Sequence, residues 1–464
     1  MLRFDEHSRT LEHDEHLFEL LSPEKPNYFK DIFPDEGVPK IVFNHRHVPM
    51  IPAEEVWITD TTFRDGQQAM PPFSPDQIVD IYKLLHQLGG PNGLIRASEF
   101  FLYQERDREA VEKCLELGYD YPQVTAWIRA HPKDFQLVKD MGLKETGILT
   151  SVSDYHVFHK WPGSNRRKAI DRYLAIVKEA LAADIRVRCH FEDITRADFY
   201  GFVVPFAIEL RKLSEESGMP IKIRACDTMG YGVPYPGASL PRSVPGIIYG
   251  LNTHAGIASE MIEWHGHNDF HKAVVNSVMA WLYGASGVNA TCLGIGERTG
   301  NTPIEGLVME YLGLRGEDPT IKTEKITEIA EYFEKEVDHD IPAQQPFVGS
   351  RFNTTLAGIH ADALAKHKSI YTIFDTESVL GVPPDVRITD KSGRAGVAYW
   401  VNLHLGLEGD EEVTKDHPGL VEMFDAITEQ YENGRVTIMS PEELLDLVQE
   451  HIPDLAEKAE AARE

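Results

Sequence analysis

From Val56 onward the chain alternates short β-prone runs with amphipathic helical stretches, and this rhythm restricts the possible folds more than any other feature of the sequence. Eight candidate strands follow one another: Val56 to Thr61, Leu94 to Phe100, Gln123 to Ile128, Lys144 to Val152, Arg186 to Phe191, Ile221 to Thr228, Met261 to His267 and Val288 to Ile295. Parallel strands joined by helices in this way close into a (β/α)8 (TIM) barrel, and the span from Val56 to about Leu314 is near the roughly 250 residues such a barrel needs. The first helix carries a full set of local signals. Ser74 caps it, Pro75 suits its first turn and Gln77 completes a capping box; Ile78, Ile81, Tyr82, Leu85 and Leu88 form one apolar face before Gly89 and Gly90 end it.

The expected architecture is an α/β fold in three parts. Residues 1–55, interrupted by Pro23, Pro26, Pro34, Pro39, Pro49 and Pro52, read as an arm or cap. Residues 56–315 form the barrel, and residues 316–464 a smaller, mainly helical region, with one helix opened by Ser440, Pro441 and Glu443. The closing run from Leu455 has the composition of a solvated terminal helix.

Charge narrows the partners. With 46 Lys and Arg against 74 Asp and Glu, the net charge of -28 repels a phosphate backbone over most of the surface, which argues against nucleic acid. An anionic substrate must then be met by a local basic site. The four cysteines, Cys114, Cys189, Cys226 and Cys292, show no C-x-x-C pair and no disulfide framework, the opening residues hold no apolar leader, and no later run is long enough to span a membrane. A cytoplasmic protein with no membrane partner is expected.

Barrel active sites form at the carboxyl ends of the strands, and ionisable residues gather there. The first strand runs into Asp60-Thr61-Thr62-Phe63-Arg64-Asp65-Gly66-Gln67-Gln68, the seventh into His265-Gly266-His267-Asn268-Asp269. Two histidines at i and i+2 on a strand share a face, so His265 and His267 can offer ring nitrogens to one divalent cation, with Asp65 adding a carboxylate oxygen across the rim. Such a set leaves coordination positions open for a reactant. Arg188, His190 and Glu192 alternate along the fifth strand and are expected to face the barrel mouth together.

These segments resemble the family of isopropylmalate synthase, homocitrate synthase and citramalate synthase, metal barrels with an Asp-Arg-Glu signature. The resemblance covers Trp57 to about Trp400 and runs in order through DTTFRDGQQ, ASEFFLY, GILTSVSDYH, RCHFED, DTMGYGVP, HGHND, GIGERTGN and AGIHAD. Gln67 stands where many relatives have Glu. The resemblance implies a metal held by Asp65, His265, His267 and Asn301, with Mn²⁺ or Co²⁺ expected and Zn²⁺ or Mg²⁺ compatible with the same donors. It implies that Arg64 steadies the keto oxygen, that Arg188 grips a substrate carboxylate, that His190, Thr228 and His131 contact the keto acid, and that Glu192 orients the proton-moving group. Beyond the barrel, His360 and Tyr371 match the family's base and its partner, in a region that covers the barrel of a second subunit in a homodimer.

The implied reaction is condensation of the acetyl group of acetyl-CoA with a small α-keto acid, followed by thioester hydrolysis. The resemblance implies oxaloacetate as the keto acid, and a cluster of Arg188, His190 and His131 is chemically suited to its second carboxylate, as it would be to that of 2-oxoglutarate. The alternatives are 2-oxoglutarate, as in homocitrate synthase, and the keto acids of isopropylmalate or citramalate synthase. An acyl-CoA lyase of the same superfamily uses a cysteine in the loop after strand eight, and Gly294 to Gly300 contains none.

Overall fold

The computed structural model describes residues 2–5, 10–13, 18–372 and 374–462; the remaining residues lie outside it. Eight parallel strands close a barrel: β1 (Trp57–Asp60), β2 (Ile95–Phe100), β3 (Gln123–Arg129), β4 (Glu145–Ser151), β5 (Arg186–Glu192), β6 (Ile221–Asp227), β7 (Ile262–Gly266) and β8 (Gly287–Ala290). Gly287 pairs with Trp57 on one side and with Glu263 on the other, which joins the last strand to the first. The outer helices are α1 (Pro75–Gly89), α2 (Glu105–Glu116), α3 (Pro132–Asp140), α4 (Asp154–Lys160), α5 (Arg166–Ala182), α6 (Val204–Ser217), α7 (Val244–Thr253), α8 (Ala273–Leu282), α9 (Ile304–Arg315) and α10 (Lys325–Glu336).

Local chemistry places these elements. The Ser74 hydroxyl accepts from Gln77 N while the Gln77 side chain accepts from Ser74 N, so α1 starts where its capping box sits, and Ile78, Ile81, Tyr82, Leu85 and Leu88 are buried beneath it. Strand eight is shorter than its apolar run suggests. It stops at Ala290, because Thr291 N donates to Thr302 O and Leu293 takes a left-handed φ of 56°, which turns the chain away from the barrel.

The arm passes along the outside of the barrel, anchored by Leu21 N on Gly201 O, Ser239 N on Val42 O and Ala53 N on Trp281 O. The barrel's compact unit extends to Asp338, past the boundary at Arg315 expected from the sequence. Its last helix, α10, packs on α1: Phe333 meets Phe73 edge to face with centroids 6.0 Å apart, and Gln77 Nε2 bonds Glu336 O.

A second compact unit spans His339–Glu464. It contains α11 (Gly358–Lys366), α12 (Thr376–Leu380), α13 (Gly393–His404), α14 (Pro418–Glu432), α15 (Pro441–His451) and α16 (Ala456–Ala461). Val397, Trp400, Val401, Leu420, Met423, Leu444 and Val448 are among the buried residues of its own apolar core. Among the described residues no helix is long and apolar enough to cross a membrane, and all four cysteines are free and buried.

Candidate metal centre and barrel mouth

The chain just past β1 turns back on itself: Arg64, Asp65 and Gly66 all donate their N–H groups to Thr61 O, which holds Arg64 and Asp65 at the mouth. Across the rim stand His265, near the end of β7, and His267, just beyond it. The donor atoms of Asp65, His265 and His267 lie within 4.8 Å of one another, and all three residues are buried. His265 Nε2 is 3.4 Å and His267 Nε2 3.7 Å from Asp65 Oδ2.

The tautomer of His265 follows from its neighbours. Asn289 Nδ2 donates to Thr59 O at 3.1 Å and to Thr59 Oγ1 at 3.0 Å, so Asn289 Oδ1 is the atom that meets His265 Nδ1 at 2.7 Å. That nitrogen therefore carries the proton, and the Nε2 lone pair faces Asp65. Burial pushes the His265 imidazole down to about 3, which keeps it neutral and able to act as a ligand. Burial alone would raise the Asp65 carboxyl, yet the Arg64 guanidinium above all, with a hydrogen bond from Asn301, holds it well below its usual range.

Asn301 joins this group: its Nδ2 donates to Asp65 Oδ2 at 2.8 Å, and it pairs with His267 through an isolated bridge. Its Oδ1 and the Nδ1 of His267 are buried with no hydrogen-bond partner among the described residues. A buried amide oxygen without a donor is costly in a closed site and is available to a cation. The donor set fits one divalent ion.

Arg64 is clamped from three sides. Its Nη1 bonds Asp65 Oδ1 at 2.8 Å, its Nε bonds Glu99 Oε1 at 2.9 Å, and its guanidinium lies 5.4 Å from the centre of the Trp127 ring. Nη2 makes no hydrogen bond among the described residues. A fixed cation with one open donor beside a metal site is suited to hold developing negative charge.

Sequence reasoning did not single out Glu99, on which the interior turns. Its carboxylate meets Arg64, Arg188 at 2.8 Å, Arg224 at 3.0 Å and His190 Nε2 at 3.3 Å. Burial would raise its pKa, but the three arginines and His190 hold it well below the ordinary value. The signal available was a single acid in the second strand, Ile95–Phe100, which also carries Arg96 and Ser98. Arg224 and Glu263 escaped notice for the same reason, and they pair with each other at 3.1 Å.

Arg188 is a correction to the sequence reading. It does not face the mouth; it lies in the lower half of the barrel, where it lines a small cavity with Trp57, Gln123 and Lys222. Its guanidinium is taken by Glu99, by Glu145 at 3.2 Å and by Glu263 at 3.5 Å, so three carboxylates occupy the place of a substrate anion. His190, two residues on, sits one layer higher, where the missing side chain of Gly147 makes room for its ring.

Glu192 ends β5 at the rim. His156 Nδ1 at 2.9 Å, Lys160 Nζ at 2.9 Å and the Ser151 hydroxyl surround its carboxylate, and despite burial these groups hold it down at about 2. Asp193 follows with a left-handed φ of 65° and donates its N–H to Thr228 Oγ1 at 2.9 Å, so Thr228 braces the same turn. His131 caps α3: its Nδ1 accepts from Lys133 N at 3.2 Å, and its side chain is half exposed.

The remaining pair lies in the second unit. The rings of His360 and Tyr371 are 4.2 Å apart, and His360 Nδ1 is 3.2 Å from Thr355 Oγ1. Gly358 opens the helix that carries His360, where a Cβ would lie 2.4 Å from Ser392 O. Ile359, Ile370 and Tyr371 beside the imidazole are exposed.

A parallel barrel with an Asp-His-His cluster at its carboxyl end defines a class of metal-site barrels. The HMGL-like family matches residues 55–333, and the chain belongs to that family. Over 98% of its length the chain is 56% identical to the citrate (Re)-synthase of Syntrophus aciditrophicus, covering 73% of that protein. It is 52% identical over 96% of its length to the citrate (Re)-synthase of Clostridium kluyveri, covering 98% of that one. The 2-phosphinomethylmalate synthase of Streptomyces hygroscopicus is 36% identical over 92% of the chain and 97% of its own length.

Proposed function

We propose that this chain is a divalent-metal-dependent transferase that condenses the acetyl group of acetyl-CoA with oxaloacetate and hydrolyses the thioester, giving citrate and CoA. The observation that carries the reading is the likeness to two citrate (Re)-synthases at 56% and 52% identity over nearly the whole chain. The clustered Asp65, His265, His267 and Asn301 support it, since they would hold the ion. Bound there, a divalent cation supplies Lewis acidity toward the keto oxygen and its adjoining carboxylate.

The chain's own residues do the rest. Arg64 directs its open Nη2 at the keto oxygen and stabilises the charge that gathers there. His360, supported by Tyr371, takes a proton from the acetyl methyl group; the enolate carbon then forms a bond to the keto carbon, the C=O π pair passes to the keto oxygen, and that oxygen takes up a proton and stays on the product as its hydroxyl. Glu192, ionised by His156 and Lys160, orients the proton-moving group instead of giving up a proton itself. Thr228, His190 and His131 contact the keto acid, and Arg188 acts from below through Glu99. Water then cleaves the thioester and frees CoA.

His360 and its exposed apolar neighbours favour a homodimer in which this unit covers the partner's barrel, and the buried free cysteines favour the cytoplasm. Mn²⁺ or Co²⁺ is the preferred ion. The test is release of free thiol from acetyl-CoA with oxaloacetate, 2-oxoglutarate, 2-oxoisovalerate and pyruvate in turn, after chelation and after metal restoration. Preference for oxaloacetate, lost on chelation and regained with metal, is expected; equal or better turnover of another keto acid overturns the assignment.

A further inference from the structure

The arm closes a cavity of about 300 Å³ on the flank of the barrel, and none of the candidate site residues lines it. That volume is at the lower end of what small-molecule sites occupy. The arm's course here is set by backbone pairing: Asn44 N and His45 N donate to Gly237 O at 3.0 and 3.2 Å, and Ser239 N donates to Val42 O at 2.8 Å. His45 takes a left-handed φ of 57°, unfavourable for a residue with a side chain, and Asn44 Oδ1 steadies the turn by accepting from Arg46 N at 3.0 Å. The turn brings Arg46 and His47 to the cavity wall.

The chemistry of the lining is uneven in a way that points to a ligand. Phe199, Tyr200, His254 and Tyr249 pack ring to ring, with centroids 5.6 to 5.8 Å apart, and give it one aromatic wall. Neither Arg46 nor His47 forms an ion pair with a carboxylate among the described residues. Asp198, the acid in the lining, is already taken by Arg166 Nη1 at 2.8 Å and Gly201 N at 3.0 Å. In a chain of net charge -28, a guanidinium and an imidazole that form no ion pair with a carboxylate make a local basic site beside the aromatic wall. Aromatic faces stack on a flat base, and a guanidinium pairs with a phosphate.

We propose that this cavity binds a purine nucleotide of mononucleotide size, with the base against the aromatic wall and the phosphate on Arg46 and His47. Its volume leaves no room for a whole coenzyme. The arm lies outside the HMGL-like match at 55–333, while the rest of the lining, from Ala197 to Tyr283, lies inside it. The segments that form its inner wall, Ala197 to Tyr200 and Pro236 to Gly246, follow β5 and β6, the strands that carry Glu192 and lead to Thr228.

A purine nucleotide has two sources, the nucleotide head of acetyl-CoA and a free nucleotide. Calorimetric titration of the full chain with AMP, and with inorganic phosphate as control, reads binding without reference to turnover. One AMP per chain is expected, bound more tightly than phosphate and at least tenfold more weakly by the Arg46→Gln/His47→Gln variant, whose melting temperature without nucleotide should match the parent. Repeating the AMP titration with saturating CoA separates the sources: displacement identifies the coenzyme head, and independent binding identifies a free nucleotide. Failure of AMP to bind, equal affinity in parent and variant, or phosphate binding as tightly as AMP overturns the proposal.

Discussion

Arg64 has its place because two carboxylates and an indole ring hold it, and a change of side chain there tests position as well as charge. Lysine keeps the charge, but its single nitrogen cannot occupy the separate positions from which Nε, Nη1 and Nη2 meet Glu99, Asp65 and the open side. Arg64→Lys is therefore expected to lower kcat about 10²–10³-fold, with the KM for acetyl-CoA changed by only a small factor, in a thiol-release assay. Asn289 acts through His265 by fixing its tautomer. Asn289→Ala should weaken metal binding about 10–100-fold, measured by metal titration of the chelated protein, and excess metal should restore most of the turnover. Asp65, His265 and His267 were legible in the sequence because each sits in a short run whose spacing speaks for itself. Glu99 and Asn289 were not, because their partners lie on other strands.

At the level of elements, β4 and β5 are fitted to each other through Gly147. A Cβ there would lie 2.5 Å from His190 Nε2 and 3.1 Å from Glu99 Oε2, inside contact distance of both. Gly147→Ala should cost about 1–3 kcal/mol of stability, seen as a lower melting temperature, and should depress activity by moving His190 and Glu99. The capping box of α1 and most strand bounds could be read from the sequence, since caps and alternation are local. The end of β8 could not, because the apolar run continues to Ile295 while Thr291 pairs with the 302–303 segment instead of the barrel. The apolar face of α10 was present in the sequence, but its seat against α1 was not. Arg188 shows the same limit, for alternation gave its face and not its depth.

The whole molecule encloses an ionic barrel interior, and its response to acid follows from the directions of the shifts. Burial raises Asp60 and Asp227 to about 6, so on acidification the folded state binds their protons first and gains stability from about pH 6 down to the ordinary 3.8. Burial and Arg224 push His190 down to about 3, so the unfolded chain takes that proton first and stability is lost from pH 6.5 to about 3. These opposing effects leave a shallow dependence above pH 4.5. Burial disfavours the ionised forms of Glu263 and Glu192, but Arg224 for the first and His156 for the second hold both at about 2, and Glu145 shifts the same way. The stability these acids contribute is complete above 4.5 and is lost as pH falls toward 2. Denaturant unfolding across pH 7 to 3 should show a flat region and then a steep fall below about 4.5; a midpoint unchanged down to pH 3 would contradict the paired interior.

The order of strands and helices, the closed barrel, the Asp65 and His265–His267 donors and the acidic net charge are all set by neighbours a few residues apart or by composition, and the chain alone determines them. The depth of Arg188, the role of Glu99 and the cavity under the arm arise only on closure. Glu99 reaches Arg64, Arg188 and Arg224 across separations of 35, 89 and 125 residues, and no local period carries a contact over that range.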